Sequence, residues 1–266
     1  MHIAGYLGAL LMGLSLGLIG GGGSILTVPI LVYLFSMDSV VATSYSLFIV
    51  GATSLFGSVS HISHGNIHWR AALFFGIPSL VSVYLTRHLL VPLIPETLVT
   101  MGHFVLTKSV FLLILFAVIM LLASYSMIHK AKAPASDSGS DSSINQPVLI
   151  AEGLFVGSIT GLVGAGGGFL IVPALVLMAH LSMKQAIGTS LVIIALNALI
   201  GFVGSLHWSE SIDWRFLMLF SAISLAGILV GSRLSFKISG TQLKPAFGWF
   251  VLIMGLYIIA RELVWH

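Results

Sequence analysis

The sequence predicts an all-α integral membrane protein: two pseudo-symmetric, inverted repeats of about four transmembrane segments, the first of each half broken or re-entrant at a glycine-rich turn. Three observations carry this prediction. Hydrophobic residues fill 58% of the 266 positions and charged residues only 7%, too little charge to clothe a soluble domain of this size. Apolar runs long enough to cross a bilayer recur along the chain. The two halves also match one another around one unusual motif.

Mean hydropathy is +1.10. The formal charge of +3 comes from 11 basic and 8 acidic residues that form no patch, so nucleic acid is not an expected partner; in a membrane protein the basic residues report orientation instead. The absence of cysteine removes thiol chemistry and thiolate metal sites. Met1–Gly20 lacks a basic leader and a small-residue cleavage site. It reads as a retained membrane segment, not a signal peptide.

Taken in order, the first apolar segment is Ile3–Phe35, roughly 50 Å if continuously helical. That is too long for one span and too short for two spans with a turn, and Gly20–Ser24 splits it. Val40–Val59, Trp69–Leu85 and Ser109–Ser126 follow as ordinary spans. Lys130–Pro147 (KAKAPASDSGSDSSINQP) holds nothing that could anchor a core and reads as a hydrophilic, flexible linker. Val148–Ala179 is again split, at Gly164–Gly168, and Ser182–Leu206, Trp214–Leu234 and Pro245–Ala260 close the chain. The expected organisation is an N-terminal repeat over 1–129, a linker over 130–147 and a C-terminal repeat over 148–266.

The repeat is legible residue by residue. LIGGGGSILTVP from Leu18 to Pro29 matches LVGAGGGFLIVP from Leu162 to Pro173, an offset of 144 positions. At that offset Ala42, Ser46, Leu47 and Gly57 meet Ala186, Ser190, Leu191 and Gly201; one insertion later Trp69-Arg70 meets Trp214-Arg215. Doubled sets of membrane segments are characteristic of secondary transporters, whose substrate sits between the repeats. If both split segments are hairpins, Arg70, Lys130, Lys132, Lys184, Arg233, Lys237 and Lys244 share one side and Arg87, Lys108, Arg215 and Arg261 the other. That bias places the first group in the cytoplasm and makes the repeats inverted; if every segment crosses, the split is nearly even. Whether these segments cross or re-enter stays open from sequence.

The turns are the leading functional candidates: Gly21, Gly22, Gly23 and Ser24 in one half, Gly166, Gly167 and Gly168 in the other. Bare backbone lets a ligand approach N–H groups, and a helix starting after the turn offers unpaired donors and a positive dipole end to an anion without burying a cation. Close helix packing is the other reading of the same glycines. No Lys-Ser or Lys-Thr follows, so a phosphate loop is excluded. Thr43 and Ser44, with Thr189 and Ser190, start the next helices, and Asn197 aligns with Thr53. Their hydroxyls and amide could replace water around an anion, or bond between helices. Asn197 is the sharpest of these, an amide being costly to bury alone.

His61, His64 and His68 have no carboxylate to complete a metal site, and read as a surface loop beside Trp69 and Arg70. Asp38, Glu96, Asp137, Asp141, Glu152, Glu210, Asp213 and Glu262 lie in loops or near segment ends, which argues against cation antiport. No catalytic constellation is present, so catalytic residues, metal and cofactor are all expected to be none.

These motifs resemble the TauE/SafE family of sulfite and organosulfur anion exporters. The resemblance rests on the doubled turn ending in Val28-Pro29 and Val172-Pro173, on Ala186-Ile187-Gly188-Thr189-Ser190, and on Gly65–Arg70 with its echo Ile212–Arg215. It covers Leu7–Leu263 apart from the linker. The first half departs from it, reading Ala42-Thr43-Ser44-Tyr45-Ser46. The resemblance implies a multi-pass permease of the bacterial inner membrane that exports small inorganic or organic sulfur anions by alternating access. A passive anion channel and a non-transporting scaffold are the alternatives. The expected partners are the anion and the lipid bilayer; a homodimer stays open.

Overall fold

The computed structural model describes residues 2–90, 93–95, 97–101, 104–129, 146–163, 168–205 and 212–264. The linker expected at 130–147 falls almost wholly outside the described residues, as do Gly166 and Gly167. Ten helices are described: α1 (His2–Ile19), α2 (Gly22–Leu34), α3 (Ser39–Ser63), α4 (Trp69–Leu85), α5 (Lys108–His129), α6 (Gln146–Val163), α7 (Gly168–Leu177), α8 (Met183–Ser205), α9 (Trp214–Lys237) and α10 (Gly240–Val264). Five of them (α4 taken on through Leu90) are long and apolar enough to cross a membrane. The chain is thus a predominantly helical, multi-pass membrane protein. A short antiparallel hairpin, β1 (Thr97–Met101) with β2 (Phe104–Thr107), joins α4 to α5; no alternation in the sequence announced it.

The first split segment is a helical hairpin. Gly23 of α2 lies against Leu16 and Met12 of α1, Gly8 against Ile30, and Gly5 against Phe35. Contacts that climb α1 while descending α2 mean the chain reverses direction, and the reversal falls at Gly20, whose φ of +78° suits glycine. Both ends of this segment therefore lie on one side.

The remaining pairings follow small residues, the means by which helices approach closely in lipid. Gly13 and Gly17 of α1 meet Gly227 and Gly231 of α9 backbone to backbone. Gly153 and Gly157 of α6 meet Phe75 and Ser79 of α4 in the same way. These two pairs run parallel. α3 crosses α8 antiparallel, Gly51 facing Leu199 and Gly57 facing Leu191, and α5 crosses α10 antiparallel, Gly248 facing Ile128 and Gly255 facing Leu121. Exchanging the two halves leaves this scheme of partners unchanged.

Contacts at the helix ends fix which termini share a side. Lys184 Nζ donates to the Phe236 carbonyl (3.3 Å), and His64 stacks on Phe236 with centroids 4.0 Å apart. So the start of α8 and the ends of α3 and α9 lie together. Tyr45 and Asp213, at the starts of α3 and α9, meet at the opposite side. Single cysteines report this directly, since the chain has none of its own. Ser63→Cys and Lys184→Cys are expected to label with an impermeant maleimide from one face, and Ser36→Cys only from the other. Labelling of Ser63→Cys and Lys184→Cys from opposite faces would refute the hairpin topology.

Candidate functional site

The turn between α1 and α2 packs directly on the start of α7. Gly21 lies so close to Gly168 that a Cβ on Gly21 would overlap the Gly168 carbonyl, and a Cβ on Gly168 would stand 3.2 Å from the Gly21 Cα and 3.1 Å from Ser24 Oγ. Gly21 is also the N-cap residue of α2, and no side chain caps that end. The first N–H groups of α2, from Gly22 onward, therefore have no side-chain acceptor where the first turn meets the start of α7. Gly23 faces the other way, against α1. Among the candidates, then, the structure brings together Gly21, Ser24 and Gly168.

Ser190 belongs to the same neighbourhood. Its Oγ lies 2.8 Å from where a Cβ of Gly20 would stand, and it donates to the Ile187 carbonyl (2.8 Å). Ser24 Oγ similarly donates to Gly21 O (2.8 Å) and Thr27 to Gly23 O (2.8 Å). These hydroxyls spend their protons on their own helices and present lone pairs outward. Ser44 is buried and Thr43 half-buried, both in the first turns of α3.

Thr189 makes the inter-element bond that was the other reading of these hydroxyls. Its Oγ1 accepts the His68 N–H (2.9 Å), and His68 in turn caps α4 by accepting from Ala71 N (3.1 Å). In the matching place of the first half, Tyr45 Oη accepts the Asp213 N–H (2.7 Å) while Asp213 caps α9 by accepting from Phe216 N (3.1 Å). Thr189 matches Tyr45 at the 144 offset, and His68 matches Asp213 one insertion on. Each hydroxyl ties down the loop that starts a helix of the other half. Tyr45, which departs from the Gly-Thr-Ser pattern, preserves the contact with a longer reach.

Asn197 is buried in α8 and donates through Nδ2 to Ser79 Oγ of α4 (2.7 Å), while its Oδ1 has no hydrogen-bond partner. Thr53, its counterpart in α3, donates back to the Ile49 carbonyl (2.6 Å). Two buried hydroxyls, Ser46 and Ser54 of α3, also lack a partner. Ser54 escaped the sequence reading because a lone serine in an apolar run carries no signal. The sequence reading of His61 as surface loop is corrected: α3 continues through Ser63, and His61 is buried. Among the described residues no group of three metal-ligating side chains converges.

The comparisons settle the family. The sequence profile described as Sulfite exporter TauE/SafE matches residues 6–258. The chain belongs to the TauE/SafE family. Relatives of this TauE/SafE member include a probable membrane transporter protein of Xylella fastidiosa, 29% identical over 95% of this chain and 92% of the relative. A probable membrane transporter protein of Methanocaldococcus jannaschii is 27% identical over 94% of this chain and 92% of its own length. One from Bacillus subtilis is 28% identical over 94% and 96%. No solved structure matches. Family and relatives together mark the chain as a membrane transporter.

Proposed function

We propose that this transporter exports small sulfur-containing anions, sulfite or short organosulfonates, across a bacterial inner membrane by alternating access. The observation that carries the reading is the meeting of the first glycine turn with the start of α7, Gly21 on Gly168, at a helix start no side chain caps. Backbone N–H groups and the positive dipole end attract negative charge there, and the bare glycines let the two backbones come together at that end. The family description supports sulfite as the anion. The unchanged pairing scheme on exchange of halves supports two inverted repeats, 1–129 and 148–266, that rock about a shared site. Asn197, with a free acceptor and one engaged donor, and Ser190 and Thr189 beside the turns would shape the cavity rather than carry the charge.

The deciding experiment is efflux of sulfite from reconstituted vesicles, with counterflow. Saturable efflux and counterflow are expected; saturation without counterflow would favour a channel, and no flux a scaffold. Asn197→Leu removes the bond to Ser79 and is expected to weaken anion binding by about 1–3 kcal/mol, read as a rise in half-saturation concentration. Arg70→Gln and Arg215→Gln stand on the exposed surface and should leave that concentration within about twofold, the scale of surface electrostatics. Loss of saturable transport in either Arg variant, with Asn197→Leu unchanged, would move the anion to the membrane surface.

A further inference from the structure

Glu152 stands in the second turn of α6 and is only 6% exposed. Neither carboxyl oxygen has a hydrogen-bond partner. On the same helix face, one turn to either side, are Leu149 and Val156 of an apolar cluster that Phe75 of α4, Ala174 of α7 and Ile194 of α8 help to close. Ile194 also approaches Gly168, so this cluster extends to the start of α7, where Gly21 packs. At the 144 offset Glu152 matches Gly8. One half carries the acid and the other does not.

The elements packed on α6 are α4, the π-helical turn Thr86–Leu90, α5 and α7. Their titratable or charged side chains are Arg70 and Tyr84 on α4, Arg87 and His88 in the π turn, and Lys108, Tyr125 and His129 on α5; α7 has none. Arg87 and His88 follow Thr86, which packs by Gly161, about 13 Å along the axis from Glu152. Arg70 and His129 are exposed at helix ends, and none of these groups bonds the carboxyl. A carboxylate ion left without donor or counter-ion in such surroundings is far costlier than the neutral acid. Inside a membrane protein an ionisable group held at that cost marks a path for ions or protons. A negative charge at Glu152, eleven residues or roughly 16 Å before the end of α6, would still oppose an anion at the start of α7 through the low-dielectric interior. Protonation of Glu152 and occupancy by the anion therefore favour each other, and linkage makes that preference mutual.

We propose that Glu152 is a proton-binding site and that its proton moves with the anion. This rests on the transport reading. The carboxyl takes one proton from water on the side where the anion enters and returns it on the side where the anion leaves, so one proton and one anion travel together and no bond other than O–H is made or broken.

The probe is methanesulfonate, a permanently ionised anion that carries no proton of its own. Vesicles holding the full chain, loaded with methanesulfonate and a pH dye, are clamped at zero potential with potassium and valinomycin. The wild type should alkalinise its lumen as methanesulfonate leaves. Glu152→Gln, isosteric with the neutral acid, should still release the anion but with at least a fivefold smaller proton flux per anion, and Glu152→Asp should restore part of it. Anion efflux without proton movement in the wild type, or unchanged coupling in Glu152→Gln, overturns the proposal while leaving the transport reading intact. Infrared spectroscopy of the purified protein tests the proton without transport. A protonated carboxyl C=O band at neutral pH, lost in Glu152→Gln, supports the site; its absence from the wild type overturns it. If methanesulfonate is not moved at all, the transport reading loses this substrate class and the infrared band alone decides Glu152.

Discussion

Gly21→Ala is expected to abolish transport. The added methyl would overlap the Gly168 carbonyl, and backbone on backbone leaves no flexible side chain to give way. Forcing the turn off the start of α7 costs about 1–3 kcal/mol, a shift of about five- to 150-fold in any equilibrium that needs them together. Gly21→Leu should be more severe. Gly65→Ala is the control: Gly65 has a positive φ, +67°, but a Cβ there meets nothing within 4 Å. It should lose about 1 kcal/mol of stability from backbone strain and keep its flux. Efflux rates and thermal unfolding of purified variants check both. Normal flux in a well-folded Gly21→Leu protein would remove the turns from the site.

Gly13→Leu is expected to prevent folding rather than transport. Its side chain would enter the Ser224 backbone of α9, and Gly227→Leu would enter the Leu10 carbonyl of α1 from the opposite side. Helices that associate in lipid through close backbone contact lose that contact outright when spread apart, and we expect each variant to lose about 3 kcal/mol. Detergent-solubilised Gly13→Leu should aggregate or melt well below the wild type. Gly76→Ala, whose Cβ would meet only the Ile193 side chain at 3.3 Å, should fold nearly normally. A Gly13→Leu protein as stable as the wild type would show that α1 is not held on α9 as described.

Much of this architecture could be read from residue order because it is written in local terms. The plain spans appear as apolar runs, and the break at Gly20 follows from a segment of awkward length with glycines near its middle. What the sequence left open was whether that segment turns back, because the deciding contacts, such as Gly5 on Phe35, join residues with no local pattern in common. The hydroxyls were harder. Thr189 and Tyr45 serve loops 121 and 168 residues away, and only the repeat arithmetic, applied to the pairs together, could have matched them. Glu152 looked innocuous because it stands near a segment end; its burial comes from α4, α5 and α7 packing on α6, which no run of α6 residues encodes. Whether His61 was loop or helix turned on where α3 stops, and helix ends are the least sharply written feature of an apolar sequence.

The seating of α1 on α9 has a consequence for how the protein is made. α1 leaves the ribosome before α9, yet the glycine face it needs, Gly227 and Gly231, is on that later helix. Until α9 emerges, α1 can fold back on α2 and touch α3, with its α9-facing side bare. Synthesis thus proceeds with an early segment waiting for a late partner, a long-range closure of the kind that slows folding and exposes unfinished surfaces. A ribosome-bound chain stopped before Trp214 should therefore leave α1 open to proteolysis, and extension through Lys237 should protect it.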